Sequence, residues 1–248
     1  MSYMRYEFDG GIGKITFTRS DKLNSFNLQM WQELYDILKK EKDNPDIRVL
    51  IVTGEGRAFS AGNDIKEMDR FRSSEDLLDF FSDGFSRVLR EISEFPVPTI
   101  GAINGLAYGG GFEMTLMFDI VVASRDAKFA FPEVKIGLIP PAGLTLGPSI
   151  IGLKRAAYLT LTGEPITAQE AFELGFVDFV VDTGELDKKV MEIAEKIVNS
   201  DPIASKIAKR WVSRQRNMLF FEEASKDLVF LANTKFARDS LLRFLKKE

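Results

Sequence analysis

The 248-residue chain contains no cysteine and no histidine. The first absence excludes disulfides, thiolate metal sites and thiol nucleophiles; the second removes Ser-His and Cys-His catalysis and the commonest zinc ligand. Chemistry therefore falls to carboxylates and backbone dipoles, and no metal is expected. Long apolar runs are missing too: nothing approaches about 18 consecutive apolar residues, and the N-terminal MSYMRYEFDGG has no apolar signal core. The expectation is a soluble, cytoplasmic protein with no membrane segment. A basic surplus is also lacking, since the net charge of −4 speaks against a broad nucleic-acid surface. One stretch runs the other way: residues 188–216 hold eight Lys/Arg against three Asp/Glu, a net of +5. The solvated side of helices accounts for it better than a phosphate-facing patch.

Apolar residues at 45% and charged residues at 28% describe an ordinary globular chain, long enough to bury a sizeable core. Its centre is the stretch from Pro98 to Pro141. A β-branched run ends near Asn104, three glycines follow at Gly109, Gly110 and Gly111, and an apolar helix-like segment begins at once. Strand, glycine turn, helix is the reading. Glycines let the backbone approach a ligand closely, and free N–H groups opening a helix suit developing negative charge, which outlines an oxyanion site. By contrast, Gly13-Lys14 is no phosphate loop, because Phe8 and Ile15 stand where that motif needs glycine and Ser/Thr.

Two carboxylates stand in this apolar stretch, Glu113 and Glu133. A helix followed by one strand would return the chain so that they face each other, and burial among Phe and Met raises a carboxyl pKa toward values useful for proton transfer. The plainer alternative stays open: Glu113 complements a helix N-terminus and Glu133 sits on the surface beside Lys135.

Around this centre, strands are predicted over 3–8 and 12–18 with a turn at Asp9-Gly10-Gly11, and over 48–53. A helix over 28–40 is capped by Asn27 and presents Leu28, Trp31, Tyr35 and Leu38 to the core. A second helix, over 75–95, is capped by Ser73 with Asp76, and its apolar face is Leu78, Phe81, Phe85, Val88, Leu89 and Ile92. Thr167 and Glu170 form a capping box for a short helix ending at Gly175, a strand covers 176–181, and everything beyond Glu185 reads as helical.

The segment AINGLAYGGGFEMTLMFDIVVAS resembles the glycine-helix signature of the enoyl-CoA hydratase/isomerase (crotonase) family, and SDKLNSF at 20–26, RAFSAGNDIKEM at 57–68 and LTGEPITAQEAFELGFVDFVV at 161–181 agree with it in order. The resemblance implies an α/β spiral of strand-strand-helix units over 1–190 and a helical trimerisation region over 191–248. It implies an oxyanion hole made by the N–H groups of Asn63 and Gly110, with Glu113 activating water and Glu133 delivering the α proton. Lys22, Leu23, Ala61, Asp64 and Ile65 are placed along the acyl-CoA, and Phe71, Phe80 and Phe81 fit an apolar acyl group and core packing equally well. The implied activity is enoyl-CoA hydration, a lyase reaction of fatty acid metabolism, in a homotrimer or dimer of trimers. Coenzyme A enters as part of the substrate and no separate cofactor is implied.

One departure bears on the reaction. Hydratases of the family usually carry Ile-Pro-Gly-Ala-Gly-Gly-Thr where this chain has Ile139-Pro140-Pro141-Ala142-Gly143-Leu144-Thr145. Pro141 removes an N–H and Leu144 adds bulk. This keeps an isomerase, or a hydratase of a cyclic or branched acyl-CoA, as the alternative. A further alternative, an RNA-binding relative, rests on the 188–216 patch alone.

Overall fold

In a computed structural model, the described residues are 2–68, 70–71, 73–216 and 218–246. The strands in chain order are β1 (Met4–Asp9), β2 (Ile12–Phe17), β3 (Val49–Gly54), β4 (Ala58–Ser60), β5 (Thr99–Ile103), β6 (Leu106–Tyr108), β7 (Ile120–Ser124), β8 (Lys128–Ala130), β9 (Ile166–Thr167) and β10 (Phe179–Val181). They build two sheets, one ordered β1-β2-β3-β5-β7-β10 and a smaller one ordered β4-β6-β8-β9. β3, β5 and β7 run parallel in the first sheet, and each is followed directly by β4, β6 or β8, parallel in the second. Each pass through both sheets then returns through helix, which makes the spiral.

The reason these strands sit centrally is legible in their residues. Val49, Leu50, Ile51 and Val52 form an unbroken apolar run, as parallel strands covered on both faces do. Leu50 and Val52 face the main core, whereas Val49 and Ile51 face the helix Leu186–Val198 through Leu186, Val190, Ile193 and Ala194. That helix straddles residue 190 and packs as a layer of the spiral, so by packing it belongs with the strands. The helices Pro202–Ser213, Met218–Ala232 and Lys235–Leu245 follow it. Of the helical segment expected beyond Glu185, Asn217, Lys247 and Glu248 lie outside the described residues.

Several expectations need correction. Leu28 and Leu78, both assigned to apolar faces, are exposed, Leu78 by 48%. Leu28 is the first residue of the helix Leu28–Lys42, whose buried side is Met30, Trp31, Leu34 and Leu38. The displacement of Leu78 has a backbone cause: residues Asp79–Ser86 form π-helix, whose wider turn puts Leu77, not Leu78, one turn before Phe81. The caps at Asn27 and Ser73 and the box at Thr167 form as the sequence spells them.

The basic stretch 188–216 is not wholly solvated. Lys209 is 4% exposed; its Nζ donates to Asp119 at 2.8 Å and to the Ser93 carbonyl, while Arg216 donates to Asp119 and to the Phe118 carbonyl. Lys188, Lys189 and Lys196 pair with Glu185 and Glu192. Little of the +5 is left to meet a phosphate backbone.

Candidate active site

Parallel pairing of β4, β6 and β8 delivers the three loops that follow them to one edge of the smaller sheet. Those loops carry Ala61 to Asp64, Gly109 to Gly111, and Phe131 to Glu133. The turns touch: a Cβ on Gly62, where φ is +87°, would lie 2.9 Å from the Gly110 nitrogen and 2.7 Å from the Tyr108 carbonyl. Only glycine takes this backbone and this approach together. Gly109, with φ of +54°, holds the second turn, and a Cβ there would stand 3.0 Å from Glu133 Oε1. The Gly109 N–H donates to Ala130, stitching that turn to the strand leading to Glu133.

The Asn63 and Gly110 amides are thereby brought together. Asn63 pairs with Phe26 as an isolated parallel bridge, in which the Gly62 carbonyl and the Asp64 N–H make the bonds and Asn63's own N–H is turned away. Gly110 is the first residue of the helix Gly110–Thr115, so its N–H has no partner within that helix. Among the described residues, neither N–H donates to a protein acceptor.

Glu113 lies one turn into this helix and is 2% exposed. Glu133 is in the 3-10 turn Pro132–Ile136; β7 and β8, two strands and not one, separate it from the helix. Both residues line one cavity of about 1020 Å³, with Asn63 and Gly110. The plainer reading of the pair does not describe this geometry: Glu113 Oε1 accepts the Ala142 N–H at 2.7 Å, and Lys135 binds Glu164 and the Gly163 carbonyl instead of Glu133. The Glu133 residue is half-buried, yet its Oε2 is sealed and has no hydrogen-bond partner among the described residues.

Burial, then the neighbouring charge of Glu133, raises the Glu113 pKa well above the carboxylate range, against the amides of Ala142 and Gly143, which lower it. Burial pushes Glu133 up to about 8. The amides on Glu113 come from the first turn of the helix Pro141–Thr145, where Pro141 has no N–H to give.

The remaining sequence-derived positions divide. Leu23, Ala61 and Ile65 line the cavity. Lys22 is exposed next to Leu23, outside that lining, and Asp64 turns inward to bind Arg19 at 2.6 Å and the Lys66 N–H. Of the three phenylalanines, Phe81 lines the cavity, while Phe80 stacks behind it against Phe71. Leu144 is exposed at 38%, away from the lining.

Sequence reasoning found the C-terminal helix Lys235–Leu245 but missed its seat on the cavity. Ser240, Arg243, Phe244 and Lys246 line the same cavity, and Phe236 presses against Gly137, just beyond the turn that carries Glu133. No periodicity announces a contact made over a hundred residues from Glu133. It also missed the bond from Trp31 Nε1 to Asn63 Oδ1, 3.1 Å long.

The chain is thus of the class of α/β spirals in which a glycine-rich turn and two buried carboxyls line one cavity. The family model described as enoyl-CoA hydratase/isomerase matches residues 7–247, and the chain belongs to this family. A short-chain-enoyl-CoA hydratase of Clostridium acetobutylicum is 32% identical over 248 residues, covering 97% of this chain and 94% of its own. A carnitinyl-CoA dehydratase of Escherichia coli is 37% identical over 198 residues, 79% of this chain and 74% of that one. A solved enoyl-CoA hydratase/isomerase from Mycobacterium paratuberculosis superposes with a TM-score of 0.91 at 27% identity, over 98% of each chain.

Proposed function

We propose that the chain is an enoyl-CoA hydratase, adding water across the double bond of a trans-2-enoyl-CoA to give a 3-hydroxyacyl-CoA. One observation carries the reading: two buried carboxyls with raised pKa values line one cavity with two main-chain N–H groups that have no acceptor among the described residues. The thioester oxygen accepts from Asn63 and Gly110, which stabilises the enolate as charge reaches it; one such donor is worth on the order of 100- to 1000-fold in rate. In the reactive state the pair holds one proton, on Glu133, and the Ala142 amide supports the ionised Glu113; Glu113 takes the proton of the water that attacks the β carbon, and the α carbon takes a proton from Glu133. The pair ends with its proton on Glu113, and transfer back to Glu133 restores the starting state.

Two carboxyls favour hydration over double-bond isomerisation, which needs one base to shuttle one proton. The second reading, an isomerase or a hydratase of a cyclic or branched acyl-CoA, rests on Pro141, which adjoins the Ala142 amide bound by Glu113; Leu144, outside the cavity lining, lends it nothing. Exposed Ile203, Trp211 and Phe230 on the last helices support association of copies of this chain, as a homotrimer or dimer of trimers, through residues 191–248. Incubation with 2-enoyl and 3-enoyl thioesters in heavy-oxygen water separates the readings. Solvent oxygen in a 3-hydroxyacyl product supports hydration; interconversion of the two enoyl isomers without oxygen uptake rejects it.

A further inference from the structure

The residue that offers a main-chain amide to the cavity also carries a side chain with an unspent donor. Trp31 Nε1–H, buried against Phe26 and Phe85, donates to Asn63 Oδ1. This bond fixes which end of the amide is oxygen, because an indole N–H can only donate. Nδ2 must therefore point the other way. A Cβ placed on Gly110 would lie 3.6 Å from Asn63 Nδ2, so the free amide end sits beside the second oxyanion turn. Asn63 lines the cavity, and among the described residues Nδ2 has no acceptor in the chain.

We propose that Asn63 Nδ2–H is a third donor to the thioester oxygen of a bound acyl-CoA, with Trp31 as the residue that positions it; this rests on the acyl-CoA reading above. Three features support the assignment. The donor adjoins both main-chain amides. Its amide is held by buried Trp31, and Phe85 stands on the same side of Gly110, an apolar setting in which a hydrogen bond is less screened than in water. Accepting from Trp31 polarises the amide and makes its N–H a better donor.

The test uses Asn63→Leu, which keeps the main-chain N–H and the side-chain size, and Asn63→Asp, which keeps an oxygen for Trp31 but replaces the donor. Both should lower kcat on a trans-2-enoyl-CoA on the order of 10- to 100-fold, with KM moving far less. Trp31→Phe should give part of that loss, and Asn63→Leu combined with Trp31→Phe should be no slower than Asn63→Leu alone. A structural role limited to holding Trp31 would leave Asn63→Asp active, and that result overturns the proposal.

A second readout needs no turnover. The carbonyl stretch of carbon-13-labelled butyryl-CoA should lie at lower frequency bound to the wild type than bound to Asn63→Leu. Equal frequencies and equal kcat sink the third donor and leave the hydratase reading intact. A frequency difference in a wild type that converts no enoyl-CoA sinks the hydratase reading and keeps the donor, and failure of the wild type to bind the thioester removes both.

Discussion

Burying Glu113 and Glu133 makes the folded chain hold protons that the unfolded chain releases, and that difference is measurable. Unfolded glutamates ionise near ~4.3, whereas burial raises Glu113 well above that and Glu133 to about 8. Folded pKa values lie above unfolded ones, so the contribution of the pair to stability is fully present below the unfolded pKa. It is lost as pH rises toward the folded values. We expect Tm to fall between pH 5 and pH 8, and to fall less in Glu133→Gln, which carries no titrating carboxyl at 133. A thermal melt series that drops equally in both proteins would show that Glu133 ionises normally. At the same scale, the place of the Asn63 backbone was implied only by the family resemblance of SAGND, and the partner of its side chain, Trp31, is 32 positions away and left no mark in the sequence.

The elements repeat this division. The strand and glycine turn were legible because each is local, a β-branched run and three glycines, and so were the helices opened by the boxes at Ser73 and Thr167. The face of the 75–95 helix was misread at Leu78 because π-helical turns leave no mark in apolar spacing. Glu113 and Glu133 were legible as candidates, but the two strands between them were read as one. The helix Lys235–Leu245 was legible as a helix, yet its seat on the cavity depends on tertiary contacts such as Phe236 on Gly137. Its Arg243, with Lys246 just beyond its end, gives the cavity wall two cations suited to the phosphates of coenzyme A. We expect Arg243→Ala with Lys246→Ala to raise KM for an enoyl-CoA several-fold, most at low salt, with kcat little changed. Unchanged KM at low ionic strength would remove these side chains from binding.

Across the whole molecule, the last helices are held to the spiral by an ionic knot. Asp119 receives Thr99, Lys209 and Arg216, and burial brings Lys209 down to about 8 despite the pull of Asp119. Removing one member of such a group leaves buried charge without its counter-ion. Asp119→Asn should therefore lower unfolding free energy by on the order of 3 to 5 kcal/mol in denaturant titration; a loss below ~1 kcal/mol would place the cluster in effective contact with water. The same knot fixes β5 and β7, and through them the two passes of the spiral that carry Gly110, Glu113 and Glu133. The most direct test of the account is the turnover of a trans-2-enoyl-CoA by Glu113→Gln, Glu133→Gln and the double variant. Each single change should cost on the order of 100- to 10,000-fold in kcat, and the double should be far less than the product of the two, because the carboxyls act as one unit. Wild-type kcat in either single variant would contradict it.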